Sequence, residues 1–182
     1  MNKEKLNIND IPSFIDAGSY QIDLPIKDLP AWVEDHKKES GLELNPDFQR
    51  GHVWTKEQQT AYIEFVLRGG NTGRDLYFNQ PGWMYDFTGD FVCVDGLQRI
   101  TAICDFMTDK VPVFGGYVAS DIEGLKRSLC RYTVKIHINN LPTKADVLRW
   151  YVEMNEGGTP HSKEEIDRVK AMISSIKEED LQ

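Results

Sequence analysis

The sequence predicts one compact domain that mixes short β-strands with capped helices. Three observations carry this reading. "RYTVKIHI" (131–138) alternates strictly, with Tyr132, Val134, Ile136 and Ile138 facing one way and Arg131, Thr133, Lys135 and His137 the other, as a half-buried strand requires. "TKEQQTAYIEFVLRGG" (55–70) places Gln59, Tyr62, Ile63 and Val66 on one helical face behind a Thr55/Gln58 capping box. The chain has 182 residues, 40% of them hydrophobic, enough to bury a core without staples.

The remaining elements follow in order. Residues 1 to 21 are polar with scattered apolar positions and read as an N-terminal arm; residues 22 to 182 read as a single domain ending in a helix. "YQIDLPIKDLP" carries two prolines and reads as an extended lead-in. "AWVEDHKKES" forms a short helix before Gly41, and "LEL" (42–44) a short strand. "DLYFNQ" and "DFVCVDG" are strands separated by a Gly/Pro/Asn-rich turn. "LQRITAICDFMTDK" is a helix with an Ile100, Ile103, Cys104, Met107 stripe, and "VPVF" (111–114) a further short strand. "TKADVLRWYVEMNEGG" is a helix capped by Thr143 and stopped by Gly157 and Gly158, and Ser162 with Glu165 opens the last helix.

Composition narrows the function. A formal net charge of −8 argues against an indiscriminate grip on nucleic acid, which rests on phosphate neutralisation. The 3 cysteines show no metal-ligand spacing; Cys93 and Cys104 lie in apolar runs and read as core. There is no secretory leader pattern and no membrane-length apolar run, so a cytoplasmic protein is expected. A P-loop and a nucleophile elbow are both missing.

Three segments concentrate chemistry. In "VDGLQRITAI" (94–103) a strand ends in Asp95-Gly96 and turns directly into a helix. Such a turn exposes backbone N–H groups at the positive end of the helix dipole, where an anion can sit. Arg99 falls in the first helical turn, where a cation is unfavourable; either a bound phosphate compensates it, or Asp95 or another acid does. In "NPDFQRGHVW" (45–54), Phe48 and Trp54 anchor a segment that presents Gln49, Arg50 and His52. "NEGGTPHSKEE" (155–165) reads as turn chemistry, leaving Asn155 and Thr159 as polar side chains at the connection.

"FQRGHVW", "VDGLQRITAI" and "MNEGGTP", in this order, resemble the domain found at the N-terminus of GmrSD-type restriction enzymes, within the ParB/sulfiredoxin-like superfamily. The family pattern is FQR-x-x-VW, then DGQQR-[LIV]-T, then N-x-G-G. The resemblance spans about residues 22 to 175. It implies an α+β fold, a small mixed β-sheet packed with helices, and nucleotide binding with hydrolysis. By the same resemblance Gln49, Arg50 and His52 line the site on one side. Asp95, Gly96, Gln98 and Arg99 form its floor, and Asn155, Gly158 and Thr159 close it. Asp95, Gln98, Arg99 and Arg50 are the expected catalytic set, with a water held by Gln98 or Gln49. An NTP is the expected ligand; the resemblance leaves room for Mg2+, with Asp95 the one candidate ligand, and for a homodimer.

Three departures shape the expectation. Leu97 stands where the pattern has its first Gln, His161 stands where an apolar residue is common, and no C-terminal nuclease region follows. The first expectation is therefore a stand-alone NTPase domain of restriction, anti-restriction or phage–host DNA metabolism, working alone or with a separate nuclease or defence protein. The alternatives are a DNA-binding or DNA-nicking protein, and a non-catalytic module that inhibits a host defence system.

Overall fold

The structure is a computed structural model that describes residues 20–49, 51, 53–156 and 163–179. Its strands are β1 (Tyr20–Pro25), β2 (Asp75–Asn79), β3 (Val92–Asp95) and β4 (Thr133–Asn139), joined in one sheet of order β1-β4-β2-β3. β4 runs antiparallel to β1 and parallel to β2; β2 and β3 are antiparallel, with a register shift between Tyr77 and Phe78. The described residues also form helices α1 (Leu29–Ser40), α2 (Lys56–Leu67), α3 (Leu97–Met107), the single turn α4 (Leu125–Ser128), α5 (Lys144–Glu156) and α6 (Lys163–Glu179). The α+β class with a mixed sheet is the architecture that the family resemblance implied.

Local chemistry sets the boundaries. The prolines around β1 fit an edge: Pro25 ends the strand and Pro30 opens α1, where its missing N–H leaves no gap. Gly41 closes α1 at φ 66°, a left-handed conformation that favours glycine. The capping box at α2 is complete: Gln58 N–H donates to Thr55 Oγ1, and Thr55 N–H donates to Gln58 Oε1 at 2.9 Å. Thr143 caps α5 by accepting from Asp146 N–H at 3.2 Å.

Strand alternation sends side chains to two cores. On one face Leu76, Phe78, Cys93, Val134, Ile136 and Ile138 pack with Leu29 and Val33 of α1, Ile63 and Val66 of α2, and Ile100, Ile103 and Phe106 of α3. On the other, Val94 and Phe48 pack with Leu148, Tyr151 and Val169 of α5 and α6. Full burial of one such aliphatic side chain is worth about 1.5–3 kcal/mol, so both cores hold the sheet firmly. The second core covers the β3 side of its face. Toward β1, Gln21, Asp23 and Lys135 are exposed among the described residues.

Some expectations need correction. Residues 42–44 form a lone bridge from Glu43 to Val92, because Asn45-Pro46 turns the chain away at once. Residues 111–114 form no strand: Val113 pairs only with Tyr117 across Gly115-Gly116, and Pro112 has no N–H to extend the ladder. β1 begins at Tyr20, two residues inside the expected arm. Residues 1–19, the Gly157-Gly158 stop and the Ser162 cap lie outside the described residues.

Candidate functional site

The site begins where β3 becomes α3. Gly96 adopts φ 129°, and a Cβ there would lie 2.7 Å from Leu76 Cδ2. Glycine is thus demanded by the turn and by β2 beneath it. Leu97, the departure from the family pattern, is a buried apolar residue, 8% exposed. No side chain caps the start of α3.

Two glutamines stitch the 48–54 segment to this junction. Gln49 Nε2 donates to the Cys93 and Val94 carbonyls at 2.6 and 3.1 Å. Gln98 Oε1 accepts from Val53 N–H at 3.0 Å and Trp54 N–H at 3.1 Å, while its Nε2 donates to the Gly51 carbonyl at 2.9 Å. Phe48 is buried in the second core and Trp54 packs on Tyr62, so the segment is anchored at both ends. Both amides are engaged with backbone, where a water-holding role was expected. Arg50 and His52 lie outside the described residues, but Gln49, Gly51 and Val53 around them are tied to the junction.

Arg99 sits on this frame. Its Nη2 donates to Asp95 Oδ2 at 2.6 Å, with the side chains 21% and 35% exposed. Of the two compensations that the sequence left open, the structure contains the Asp95 pair. Burial works against the guanidinium's charge, but the attraction of Asp95 and its hydrogen bond outweigh it, and the pKa rises above the ordinary arginine value. Arg99 Nε is buried with no hydrogen-bond partner among the described residues. Beside it, burial pushes the Tyr62 phenol up to about 12 against the opposing pull of Arg99 and Arg74; its hydroxyl donates to the Gly73 carbonyl at 2.9 Å.

The sequence reading missed Tyr77. It pairs across the sheet with Asp95 on one side and His137 on the other. Its ring stacks on His137 with centroids 4.5 Å apart, and His137 Nε2 meets Asp75 Oδ1 at 2.8 Å. Burial, then the nearby Asp75 and Asp95 charges, raise the Tyr77 pKa, so the phenol stays protonated at neutral pH. Alternation in "DLYFNQ" places Asp75 and Tyr77 on one face, but only the strand register brings them to Asp95 and His137.

Asn155 is not joined to this group: its amide donates to the Tyr151 carbonyl of its own helix at 2.6 Å. Gly158 and Thr159 lie outside the described residues. No group of three His, Cys, Asp or Glu among the described residues could hold a metal ion. Asp95, already paired with Arg99, does not make a resident Mg2+ site by itself, so no chemical step is routed through a metal. A separate crevice of about 170 Å3 lies at the other end of β3. Glu43, Asp47 and Asp90 line it, and its Lys144 is paired with Asp47 at 2.7 Å, the wrong charge balance for a phosphate.

The fold and junction define an α+β domain with a half-buried Arg–Asp pair at a strand-to-helix turn, stitched to a preceding loop by two glutamines. The chain belongs to the family described as the GmrSD restriction endonuclease, N-terminal domain, which matches residues 31–128. That span holds "FQRGHVW" and "VDGLQRITAI" but not "MNEGGTP". No curated protein and no solved structure matches the chain. No helix among the described residues is long and apolar enough to cross a membrane.

Proposed function

We propose that the β3–α3 junction binds the phosphates of a nucleoside triphosphate, and that the domain acts in a restriction-type defence system. The observation that carries this is Arg99: charged, half-buried and oriented by Asp95 at the start of a helix with no side-chain cap. A guanidinium has five N–H donors and binds phosphate oxygens in pairs, so Asp95 leaves donors to spare. The positive end of the helix dipole would add to the attraction. Phosphoryl transfer needs mainly positioning and charge stabilisation, which this arrangement supplies. For hydrolysis, water would attack the terminal phosphorus as the bridging oxygen departs with the nucleoside diphosphate. Arg99 would stabilise the charge that develops there.

A second reading takes the same pair to a DNA phosphodiester, since the family description is that of a restriction endonuclease domain. The net charge of −8 favours the smaller ligand. In either case a nuclease or defence protein is the proposed partner. The test is phosphate release from each NTP with Mg2+, with and without DNA, for wild type and Arg99→Ala. The expected result is release that falls by about 2–4 kcal/mol of transition-state stabilisation in the variant. Unchanged release in Arg99→Ala would remove the junction from the chemistry. DNA cleavage with no NTP turnover would select the second reading.

A further inference from the structure

The rim of the second core holds an aromatic group that the phosphate reading leaves unused. Tyr77 lies between Asp95 and His137 in the strand register, on the same face as Asp75. Its ring and that of His137 are nearly parallel, 15° apart at 4.5 Å. The Asp75 carboxylate fixes the imidazole, whose side chain is 21% exposed. Trp150 of α5 stands edge-on to Tyr77 with centroids 6.0 Å apart. The Tyr77 hydroxyl makes no hydrogen bond among the described residues, in contrast to Tyr62 and Tyr132, whose hydroxyls both reach carbonyls.

Purely structural packing would account for Tyr77 and Trp150 as the rim of the second core. It does not account for a histidine stacked on the outer side of that rim and held there by an acid. Half-exposed aromatic rings on a sheet face beside a phosphate-binding arginine are how proteins hold bases, because every base has a π-face to stack. We infer that Tyr77, His137 and Trp150 form a base-stacking wall beside the Arg99 site, so the ligand is a nucleoside phosphate and not an inorganic or sugar phosphate. The inference rests on the phosphate reading of Arg99 and adds the part of the ligand that Arg99 cannot recognise. Asp75 is a positioning residue here: it fixes the imidazole that supports the Tyr77 ring.

The test compares ATP with inorganic tripolyphosphate, which carries a similar phosphate chain without a base. Binding of each to the full chain is measured by calorimetry for wild type, Tyr77→Leu, Tyr77→Phe and Arg99→Ala. Wild type should bind ATP at least about fivefold more tightly, the low end of what one stacked base commands. Tyr77→Leu should erase that advantage while leaving tripolyphosphate within about twofold, and Tyr77→Phe should keep it, since the ring alone stacks. Arg99→Ala should weaken both ligands together. Equal wild-type affinities would overturn the wall while sparing the phosphate site. Equal losses of both ligands in Tyr77→Leu would also overturn it, marking Tyr77 as structural. If wild type binds neither ligand, the phosphate reading falls and the wall with it. The wild-type ratio needs no variant, so it decides even if Tyr77→Leu fails to fold.

Discussion

Replacing Gln98 with leucine keeps the side chain's bulk and removes the three bonds that Gln98 makes to the 51–54 segment. Two are accepted from Val53 and Trp54 N–H at 3.0 and 3.1 Å, and one is donated to the Gly51 carbonyl. Each such bond is worth about 1 kcal/mol net. Val53 is 45% exposed, so water can replace its bond at little cost. The Trp54 and Gly51 groups are half-buried and recover less. The expected loss is about 2 kcal/mol, which lowers Tm by about 4–8 °C in a domain of this size. Urea unfolding followed by tryptophan emission, with calorimetry, reads both quantities. Gln98→Glu should also destabilise, because a carboxylate still accepts from Val53 and Trp54 but sets an oxygen against the Gly51 carbonyl that the amide donated to. A Gln98→Leu protein within about 0.5 kcal/mol of wild type would refute the stitching role, since that is the spread of ordinary surface changes.

Three other outcomes are expected. Gly96→Ala should destabilise by at least about 2 kcal/mol in a thermal melt, because it combines a φ of 129° with a Cβ 2.7 Å from Leu76. Of the three thiols only exposed Cys130 should react quickly with an aromatic disulfide reagent: burial raises Cys93 to about 12 and Cys104 to about 11, and Cys93 is fully enclosed. Tyr62 has a folded-state pKa of about 12, above the unfolded value near 10, so its contribution to stability is complete below pH ~10 and is lost as pH rises toward 12. Urea midpoints measured across that range, wild type against Tyr62→Phe, should converge on a flatter profile for the variant.

Much of the fold was legible because its signals are local. The Thr55/Gln58 box starts α2 within one turn, and the alternation of 131–138 marks β4 without reference to any partner. The strand expected at 111–114 failed for a reason that apolar content hides: Pro112 has no N–H to give a ladder, and Gly115-Gly116 fold the chain back at once. At the site the sequence located the junction but not the direction in which its amides point. Gln49 and Gln98 looked like ligand groups, yet both turn inward to carbonyls and N–H groups far away in the chain. The Arg99–Asp95 pair, four residues apart on one side of a turn, was readable as one of two choices. Tyr77 was invisible, since its neighbours come from β3 and β4, and register is a property of the folded sheet.

The strand order has a consequence for how the chain is made. β4, the partner of both β1 and β2, is the last strand to be synthesised. Until it leaves the ribosome, β1 has no neighbour, and β2 and β3 stand as an isolated hairpin with α3 behind it. Of the four strands, the matched span of 31–128 contains only that hairpin and none of β1 or β4. Expressed by itself it would present an apolar sheet edge at β2, open to pairing with other chains. The protein therefore commits to its sheet in a single late step, and Arg99 gains its full surroundings, Tyr77 braced by His137 among them, only when that step is complete.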